Sequence, residues 1–182
     1  MINNVYQKGE NIDFKLVAHS LEYVQKVNDF DCGIDTINEY IRNDSLHDTD
    51  TKTYLAVDVK TEDILGFASI SCSGVHYSFD KSLHATIPAI EIKYFAITNE
   101  LHKLIYDDTD SHFYFSDMVL CELLSKIRDI SDNIIGARLV ILYSVDAAKH
   151  FYERNMFQPY EQYMLKDNIR FLDGCTPMYM TL

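Results

Sequence analysis

The sequence predicts a mixed α/β (α+β) fold. Three observations support this: several short segments rich in β-branched and aromatic residues, one long amphipathic segment with helical spacing, and a strand–helix–strand order around that segment. A crossover of this length joins parallel strands, and its connection is expected to be right-handed. The predicted order of elements along the chain is β-α-β-β-β-α-β-α-β-β.

The first half of the chain is predicted to be mainly strand. Phe14–Ala18 is the first β-rich segment, and a polar loop joins Thr53–Val59 to Ile64–Cys72, which predicts an antiparallel hairpin. A short helix between the first two strands is indicated by isoleucines at helical spacing, namely Ile34, Ile37 and Ile41.

Pro88–Ile97 is predicted to be the central strand. Successive residues of a strand point to opposite faces, and in this segment both faces carry bulky side chains. That pattern is typical of a strand that is covered on both sides. The two faces consist of Glu91, Lys93, Phe95 and Ile97, and of Ile90, Ile92, Tyr94 and Ala96.

The second half begins with the clearest helix of the sequence, which is predicted from Ser116 to Ile130 by a stripe of leucine and isoleucine. The strand Ala137–Tyr143 follows, and then a short helix over Asp146–Arg154. Two further strand-like segments lie near Phe157–Leu165 and Pro177–Leu182.

Length and composition limit the class of protein. A chain of 182 residues without a Pro/Gly/Ser-rich linker predicts a single domain over residues 1–182. A hydrophobic content of 47% provides a core and excludes a disordered chain. The formal charge of −12, without a basic cluster, disfavours nucleic acid as a partner, because phosphate contacts supply most of that affinity.

Cysteine, histidine and apolar patterns indicate neither a metal site nor a membrane segment. The cysteines lack CxxC spacing; we expect Cys121 to be buried and Cys32 and Cys175 to be exposed thiols in glycine-containing loops. The histidines lack metal-ligand spacing, so no metal is predicted. Apolar runs are shorter than the ~18 residues of a membrane span, and no signal peptide is expected, so we predict a cytoplasmic protein.

Three segments resemble a known family. They are Ile64–Ile70 (Ile-Leu-Gly-Phe-Ala-Ser-Ile), Ile90–Ile97 ahead of a helix, and Asp146–Phe157, where a helix ends in Phe-Tyr-Glu. Together they resemble the GNAT superfamily of acetyl-CoA-dependent N-acetyltransferases. The segment Phe30–Ile41, followed by Thr53–Val57, further resembles the toxin-type acetyltransferases of toxin–antitoxin modules.

This resemblance implies a mostly antiparallel, twisted sheet with a splayed central pair of parallel strands and helices on both faces. It also implies acetyl-CoA as cosubstrate, whose pantetheine amides would pair with the backbone edge of the central strand at Phe95, Ala96 and Ile97. The diphosphate would lie on the start of the next helix, where backbone N–H groups lack partners. The residues at that helix start are Phe115, Ser116, Asp117 and Met118.

The resemblance further implies direct transfer of acetyl to a primary amine in a ternary complex, without a covalent enzyme intermediate. Tyr152 matches the family's general acid, and a phenol with a pKa of about 10 is a competent proton donor to a thiolate. Glu91 is the candidate general base that deprotonates the incoming ammonium; the alternative is an ordinary solvated or salt-bridged carboxylate. The acceptor would be a small molecule, or an amine of a protein or aminoacyl group.

The chain departs from the family pattern in the segment Asn99–Asp117. Family members have glycines there that let the backbone wrap the diphosphate, whereas this segment has none. It carries Asp107, Asp108 and Asp110, whose charge would oppose a polyanionic cofactor if they pointed inward. Met156 also replaces a family glycine. A second hypothesis therefore stays open: a GNAT-fold binding or interaction module that has lost efficient catalysis.

Two partner questions also stay open. A toxin-type enzyme acting on aminoacyl-tRNA would need phosphate contacts, which the charge of −12 disfavours. The tail Pro177–Leu182 can pair as a strand within one chain or across a subunit interface, so a homodimer is an alternative to a monomer. No membrane partner is expected.

Overall fold

Seven strands form one sheet in the residues that the structure describes, which are 12–78, 84–106, 113–160 and 174–182. The structure is a computed structural model of the chain. The strands are β1 (Phe14–Ala18), β2 (Lys52–Asp58), β3 (Ile64–Ser78), β4 (His84–Ile97), β5 (Leu139–Val145), β6 (Gln158–Pro159) and β7 (Cys175–Thr181).

Helices of different length accompany the sheet. None of those in the described ranges is long and apolar enough to cross a membrane. The α-helices are α1 (Asp35–Glu39), α2 (Phe115–Asn133) and α3 (Asp146–Arg154); α1 continues as a π-helical turn (Tyr40–Asp44), and 3-10 turns occur at Leu21–Tyr23, Lys26–Asp29 and Asn99–Leu101.

The strand order β1-β2-β3-β4-β5-β7-β6 places β4 in the middle of the sheet, as its two bulky faces predict. Strands β4 and β5 pair in parallel, from Ala89 opposite Leu139 to Ile92 opposite Leu142. The other pairings described here are antiparallel: β1 pairs with β2, β2 with β3, and β7 with both β5 and β6. The predicted mixed α/β fold with one parallel pair is therefore confirmed.

The boundaries of some elements differ from the prediction. Helix α2 continues past Ile130 to Asn133, where the hydroxyl of Ser131 donates a 2.7 Å hydrogen bond to the carbonyl of Ala137. Strand β6 is confined to Gln158–Pro159 in the described residues, and the predicted continuation to Leu165 lies outside them. The C-terminal tail pairs as β7 with β5 and β6 of its own chain.

The chain divides into two compact units, and we describe each by itself. The first comprises Met1–Ile70 and Tyr94–Lys126, and the second comprises Ser71–Lys93 and Ile127–Leu182. The assignment of residues 1–182 to one domain stays a prediction.

Two hydrophobic clusters hold the first unit together. One packs the turns that follow β1 against β2 and β3, with an edge-to-face contact between Phe30 and Phe67 at 5.4 Å. The other joins Ile97 at the end of β4 to Phe115 of α2, and both side chains are buried. Full burial of such a side chain stabilises the folded state by about 1.5–3 kcal/mol, so the end of β4 and the start of α2 are firmly joined.

A network of side-chain hydrogen bonds fixes the loop between Phe30 and α1. The Asp31 carboxylate accepts hydrogen bonds of 2.8 Å from the Gly33 backbone and from the Asn38 side chain. Gly33 has a φ of 80°, a left-handed conformation that favours glycine. The carbonyl of Asp31 also accepts a hydrogen bond from the backbone of Asn99, directly after β4. The loop is therefore tied to the end of the central strand.

The cysteines differ from the sequence expectation. Cys32 is buried within this loop, where its backbone N–H donates to the Asn38 side chain at 3.0 Å, so it is not an exposed thiol. Cys121 is exposed, because it lies on the outer side of α2 and not on its apolar stripe. Cys175 is half-buried at the first residue of β7.

The second unit is built around β5. Leu139, Val140, Ile141 and Leu142 are all buried, as expected for a β-branched strand between two neighbours. On one face of this part of the sheet, Ala89 and Ile141 pack with Tyr160. The cluster gives the second unit a core of its own.

The side chain of His19, which follows β1, is buried, with 7% of its surface exposed. Its Nδ1 lies 3.0 Å from the Ser45 hydroxyl, which donates its own hydrogen to the carbonyl of Ile41. Nδ1 therefore carries the proton of the neutral ring. Nε2 is unprotonated and has no hydrogen-bond partner among the described residues. Burial, assisted by the charge of Lys52, lowers the pKa of His19.

Substitution of Gly66 by alanine should destabilise the fold. A Cβ at this position would lie 2.6 Å from Cδ1 of Ile97 and 2.8 Å from the carbonyl oxygen of Ala96, so β4 would have to move. We expect a loss of about 1–3 kcal/mol in the free energy of unfolding, measured by urea denaturation. Gly136→Ala is the matched control, since nothing lies within 4 Å of its Cβ. Equal stability of the two variants would contradict the tight β3–β4 contact.

Stability should fall as the pH decreases below the ordinary His19 pKa of 6.5. In the unfolded chain His19 binds a proton at its ordinary pKa, whereas in the folded protein the buried ring resists protonation. The contribution of neutral His19 to the free energy of unfolding is therefore fully present above pH 6.5. It is lost as the pH falls toward the lower pKa of the folded state. Urea midpoints at neutral and mildly acidic pH should show a smaller pH-dependent loss in His19→Gln than in wild type. The exposed His47→Gln variant should behave like wild type. An unchanged pH dependence in His19→Gln would rule out this role.

Candidate functional site

The proposed cofactor edge of β4 lies in the first unit and consists of Phe95, Ala96 and Ile97. The backbone N–H of Thr98 donates a 2.9 Å hydrogen bond to Leu65 of β3. Because alternate residues of a strand direct their backbone groups to opposite edges, Phe95 and Ile97 direct theirs away from β3. The edge therefore has the orientation that added-strand pairing with an amide-bearing ligand requires.

A histidine that the sequence analysis did not select contacts this edge. Nε2 of His102 lies 2.8 Å from the carbonyl oxygen of Ile97 and donates a hydrogen bond to it. His102 directly follows a 3-10 turn whose last residue, Leu101, is completely buried. A ligand amide that bound to the Ile97 carbonyl would compete with this hydrogen bond. No residue pattern indicates this contact, because it depends on the turn that directs the His102 ring back toward the end of β4.

An isolated antiparallel bridge precedes α2. Ile105 lies opposite Tyr114, and the backbone N–H of Tyr106 donates a 2.9 Å hydrogen bond to Phe113. Residues 107–112, which include Asp107, Asp108 and Asp110, lie outside the described residues. The backbone at residues 105–106 is thus fixed by strand-like pairing with residues 113–114.

The start of α2 has fewer uncommitted amides than the sequence predicts. The N–H of Phe115 donates to Leu104 at 2.9 Å, and those of Asp117 and Met118 donate to the Tyr114 carbonyl at 2.9 and 3.3 Å. Among the predicted diphosphate residues, Ser116 is the one whose amide has no acceptor in the described part of the chain. The Phe115 side chain is buried against Phe14, with ring centroids 5.4 Å apart, and serves the core.

Asp117 caps this helix with its own carboxylate. Its Oδ2 accepts a 2.8 Å hydrogen bond from the Tyr114 backbone, and the residue is only 2% exposed. A carboxylate in the first turn is stabilised by the helix dipole. It also places a carboxylate at the helix start where the resemblance predicts the diphosphate, and this disfavours binding of an anion there. The acidic residue three positions after Tyr114 was a capping-box-like signal in the sequence.

Tyr152, the predicted general acid, lies on α3 in the second unit and is buried, with 8% of its surface exposed. Its ring makes edge-to-face contacts with Phe151 at 4.9 Å and with Phe157 at 5.7 Å. Burial raises the pKa of Tyr152 above the ordinary value assumed from the sequence. The phenol therefore stays protonated at neutral and mildly alkaline pH, and it is a weaker acid than a solvated tyrosine.

Met156 stands two residues after the end of α3, at the position where the resemblance predicts a glycine. Its φ is 70°, the left-handed region, and its N–H donates a 3.1 Å hydrogen bond to Glu153 at the end of the helix. The structure thus retains the backbone shape for which glycine is preferred, at a cost of about 1–2 kcal/mol for a residue with a Cβ.

Glu91, the predicted general base, lies half-buried on β4 opposite Ile141 in the second unit. It belongs to the same unit as Tyr152. No group of His, Cys, Asp and Glu in the described residues has an arrangement that could hold a metal ion. The absence of a resident metal stays a prediction.

A cavity of about 150 Å³ in the first unit involves none of the predicted site residues. It is lined by Lys26, Glu62 and neighbouring residues, and these two side chains form an ion pair across it. The cavity therefore gives no support for a cofactor site.

Removal of the Asp117 cap should weaken α2. We expect Asp117→Ala to lower the free energy of unfolding by about 1 kcal/mol, because the Tyr114 amide would lose its acceptor. Urea denaturation measures the change, and Asp129→Ala, at an exposed position of the same helix, is the control. An Asp117→Ala variant as stable as the control would show that the cap contributes nothing.

No model of a protein family matches the sequence, and no curated protein matches it significantly. Solved structures do match the fold. A structure described as a bacterial toxin has a TM-score of 0.70 at 17% identity and covers 93% of this chain and 91% of its own.

Two further solved structures were determined with bound molecules. AtaTR bound with AcCoA has a TM-score of 0.65 at 14% identity, covering 93% of both chains. AtaT complexed with acetyl-methionyl-tRNAfMet has a TM-score of 0.64 at 16% identity, covering 88% of this chain and 99% of that one. At such identities the similarity shows a shared fold.

Proposed function

We propose that the protein is an acetyl-CoA-dependent N-acetyltransferase of the GNAT superfamily, and that it transfers an acetyl group to a primary amine. The observation that carries the proposal is the fold match over 93% of both chains to a structure bound with AcCoA. The Phe-Tyr-Glu motif that ends α3 supports it independently of the fold comparison. The toxin-type branch is the part of the superfamily that we propose.

The cofactor would bind along the β4 edge. Phe95 and Ile97 direct their backbone groups away from β3, which fits the amides of pantetheine, and the His102 ring would have to leave the Ile97 carbonyl. At the start of α2, the amide of Ser116, which has no acceptor among the described residues, would bind the diphosphate. The Asp117 carboxylate opposes an anion there, so we expect weaker diphosphate binding than a glycine-rich loop would give.

The chemistry would be direct acyl transfer. Acetyl-CoA, when bound, supplies a thioester whose carbon–sulfur bond breaks as the carbon–nitrogen bond forms. Glu91 would accept a proton from the acceptor ammonium, directly or through water, because only the neutral amine attacks. Tyr152 would hold a proton for the departing sulfur and regain one from solvent. Its burial keeps the phenol in the protonated form that this role requires.

The acceptor class is the open part of the proposal. The solved AtaT complex with acetyl-methionyl-tRNAfMet supports an aminoacyl group on tRNA. The formal charge of −12 opposes it and supports a small-molecule or protein amine. The three committed amides at the start of α2 support the second hypothesis, a binding module that has lost catalysis.

Tyr152→Phe should lower turnover about 100-fold or more and leave the Kd for acetyl-CoA unchanged, because the variant loses the proton but keeps the ring. Calorimetry measures acetyl-CoA binding, and release of free thiol measures turnover with small amines, peptides and aminoacyl-tRNA as separate acceptors. Tyr23→Phe is the control, since Tyr23 is also 8% exposed and lies in the first unit.

One outcome would contradict the enzyme hypothesis, and a second would contradict only the role of Tyr152. Absence of saturable acetyl-CoA binding would favour the binding module. Saturable binding with equal turnover by wild type and Tyr152→Phe would remove Tyr152 from the mechanism. Turnover confined to aminoacyl-tRNA would place the protein with the toxin-type enzymes in spite of its charge.

A further inference from the structure

We infer that Glu91, Tyr143 and Tyr160 form the binding site for the ammonium group of the acceptor. This inference rests on the proposed function and names the recognition element within it. All three residues belong to the second unit, so their arrangement depends on the packing of that unit alone.

The parallel pairing of β4 with β5 brings the first two residues to one face of the sheet. Glu91 lies directly opposite Ile141, and Tyr143 follows two residues later on the same face of β5. That spacing corresponds to about 6.6 Å along the strand. The Glu91 and Tyr143 side chains therefore lie on the same face of the sheet.

Tyr160 is held over the same face by β7. Its backbone N–H donates a 3.0 Å hydrogen bond to the carbonyl of Pro177, and Pro177 lies opposite Tyr143 in the β5–β7 register. Its ring packs edge-to-face on Tyr179 with centroids 6.0 Å apart, and only 6% of its surface is exposed. The position of the ring is therefore determined by backbone and by packing.

The side chain of Tyr160 interacts with those of Tyr143 and Glu91. Burial raises the pKa of the Tyr160 phenol, and the Tyr143 phenol, to which it is hydrogen-bonded, and the Glu91 charge raise it further. Both tyrosines thus lie within electrostatic reach of one another, and Tyr160 senses the Glu91 carboxylate. Tyr160 stays neutral at physiological pH and presents a hydroxyl and a ring beside a negative charge.

The chemistry of this group selects a monovalent organic cation. Within the described residues, no lysine, arginine or histidine forms an ion pair with Glu91, and Lys93 on the same strand is exposed. A half-buried carboxylate without a counter-ion is stabilised by an incoming cation, and two phenol rings add cation–π and hydroxyl contacts. A single carboxylate with two neutral phenols is a poor donor set for a divalent metal. A primary alkylammonium fits the set.

The test uses the full chain without acetyl-CoA, so that it stays informative if cofactor binding fails. Proteins with carbon-13-labelled tyrosine rings are titrated with n-butylammonium chloride and, separately, with n-butanol as the neutral analogue. We expect saturable shifts of the Tyr143 and Tyr160 resonances with the ammonium alone. Equal shifts with n-butanol, or none with either compound, would overturn the inference.

Three variants measure how much Glu91 and Tyr160 contribute to ammonium binding. Glu91→Gln should weaken n-butylammonium binding about tenfold or more, because it removes the charged contact. Tyr160→Phe should weaken binding about fivefold, because it removes one neutral hydroxyl contact. Tyr179→Phe is the matched control, because its hydroxyl bonds Gln158 at the surface, and it should bind as wild type does. Unchanged binding by Glu91→Gln would exclude the site, and loss of binding by Tyr179→Phe would show that packing alone is responsible.

Discussion

The pairing of β4 with its neighbours is the interaction on which the rest of the structure depends. Its residues Ala89–Ile92 pair in parallel with β5 in the second unit, and its last residues pack against β3 in the first. Gly66 permits the close approach on the β3 side. The register with β5 sets the position of Glu91 in the second unit, and the close approach to β3 sets that of the proposed cofactor edge in the first.

The start of α2 shows a conflict between stability and binding. Helix amides without partners favour anion binding, but each one left unpaired and buried costs stability. In this chain the Leu104 carbonyl, the Tyr114 carbonyl and the Asp117 carboxylate satisfy most of them. The helix is thereby capped internally, and the proposed cofactor depends more on the β4 edge than it would with a glycine-rich loop.

Much of the fold could be predicted from the sequence, because strand and helix periods are local properties. The central position of β4, its parallel partner and the bounds of α3 agree with the pattern of residues. The exposure of Cys121 and the burial of Cys32 could not be predicted in the same way. Both depend on which side of the local element meets the core: Cys121 lies on the outer side of α2, and Cys32 is buried in the loop before α1.

The sequence by itself determined the order of elements, the strongly acidic charge and the motif that contains Tyr152. The tertiary structure alone decided which amides near α2 have partners, that His102 contacts Ile97, and that Tyr160 lies over the face that carries Glu91. The physical reason is range: periodicity follows from neighbouring residues, whereas burial and hydrogen-bond partners are set by groups that packing brings together from distant parts of the chain.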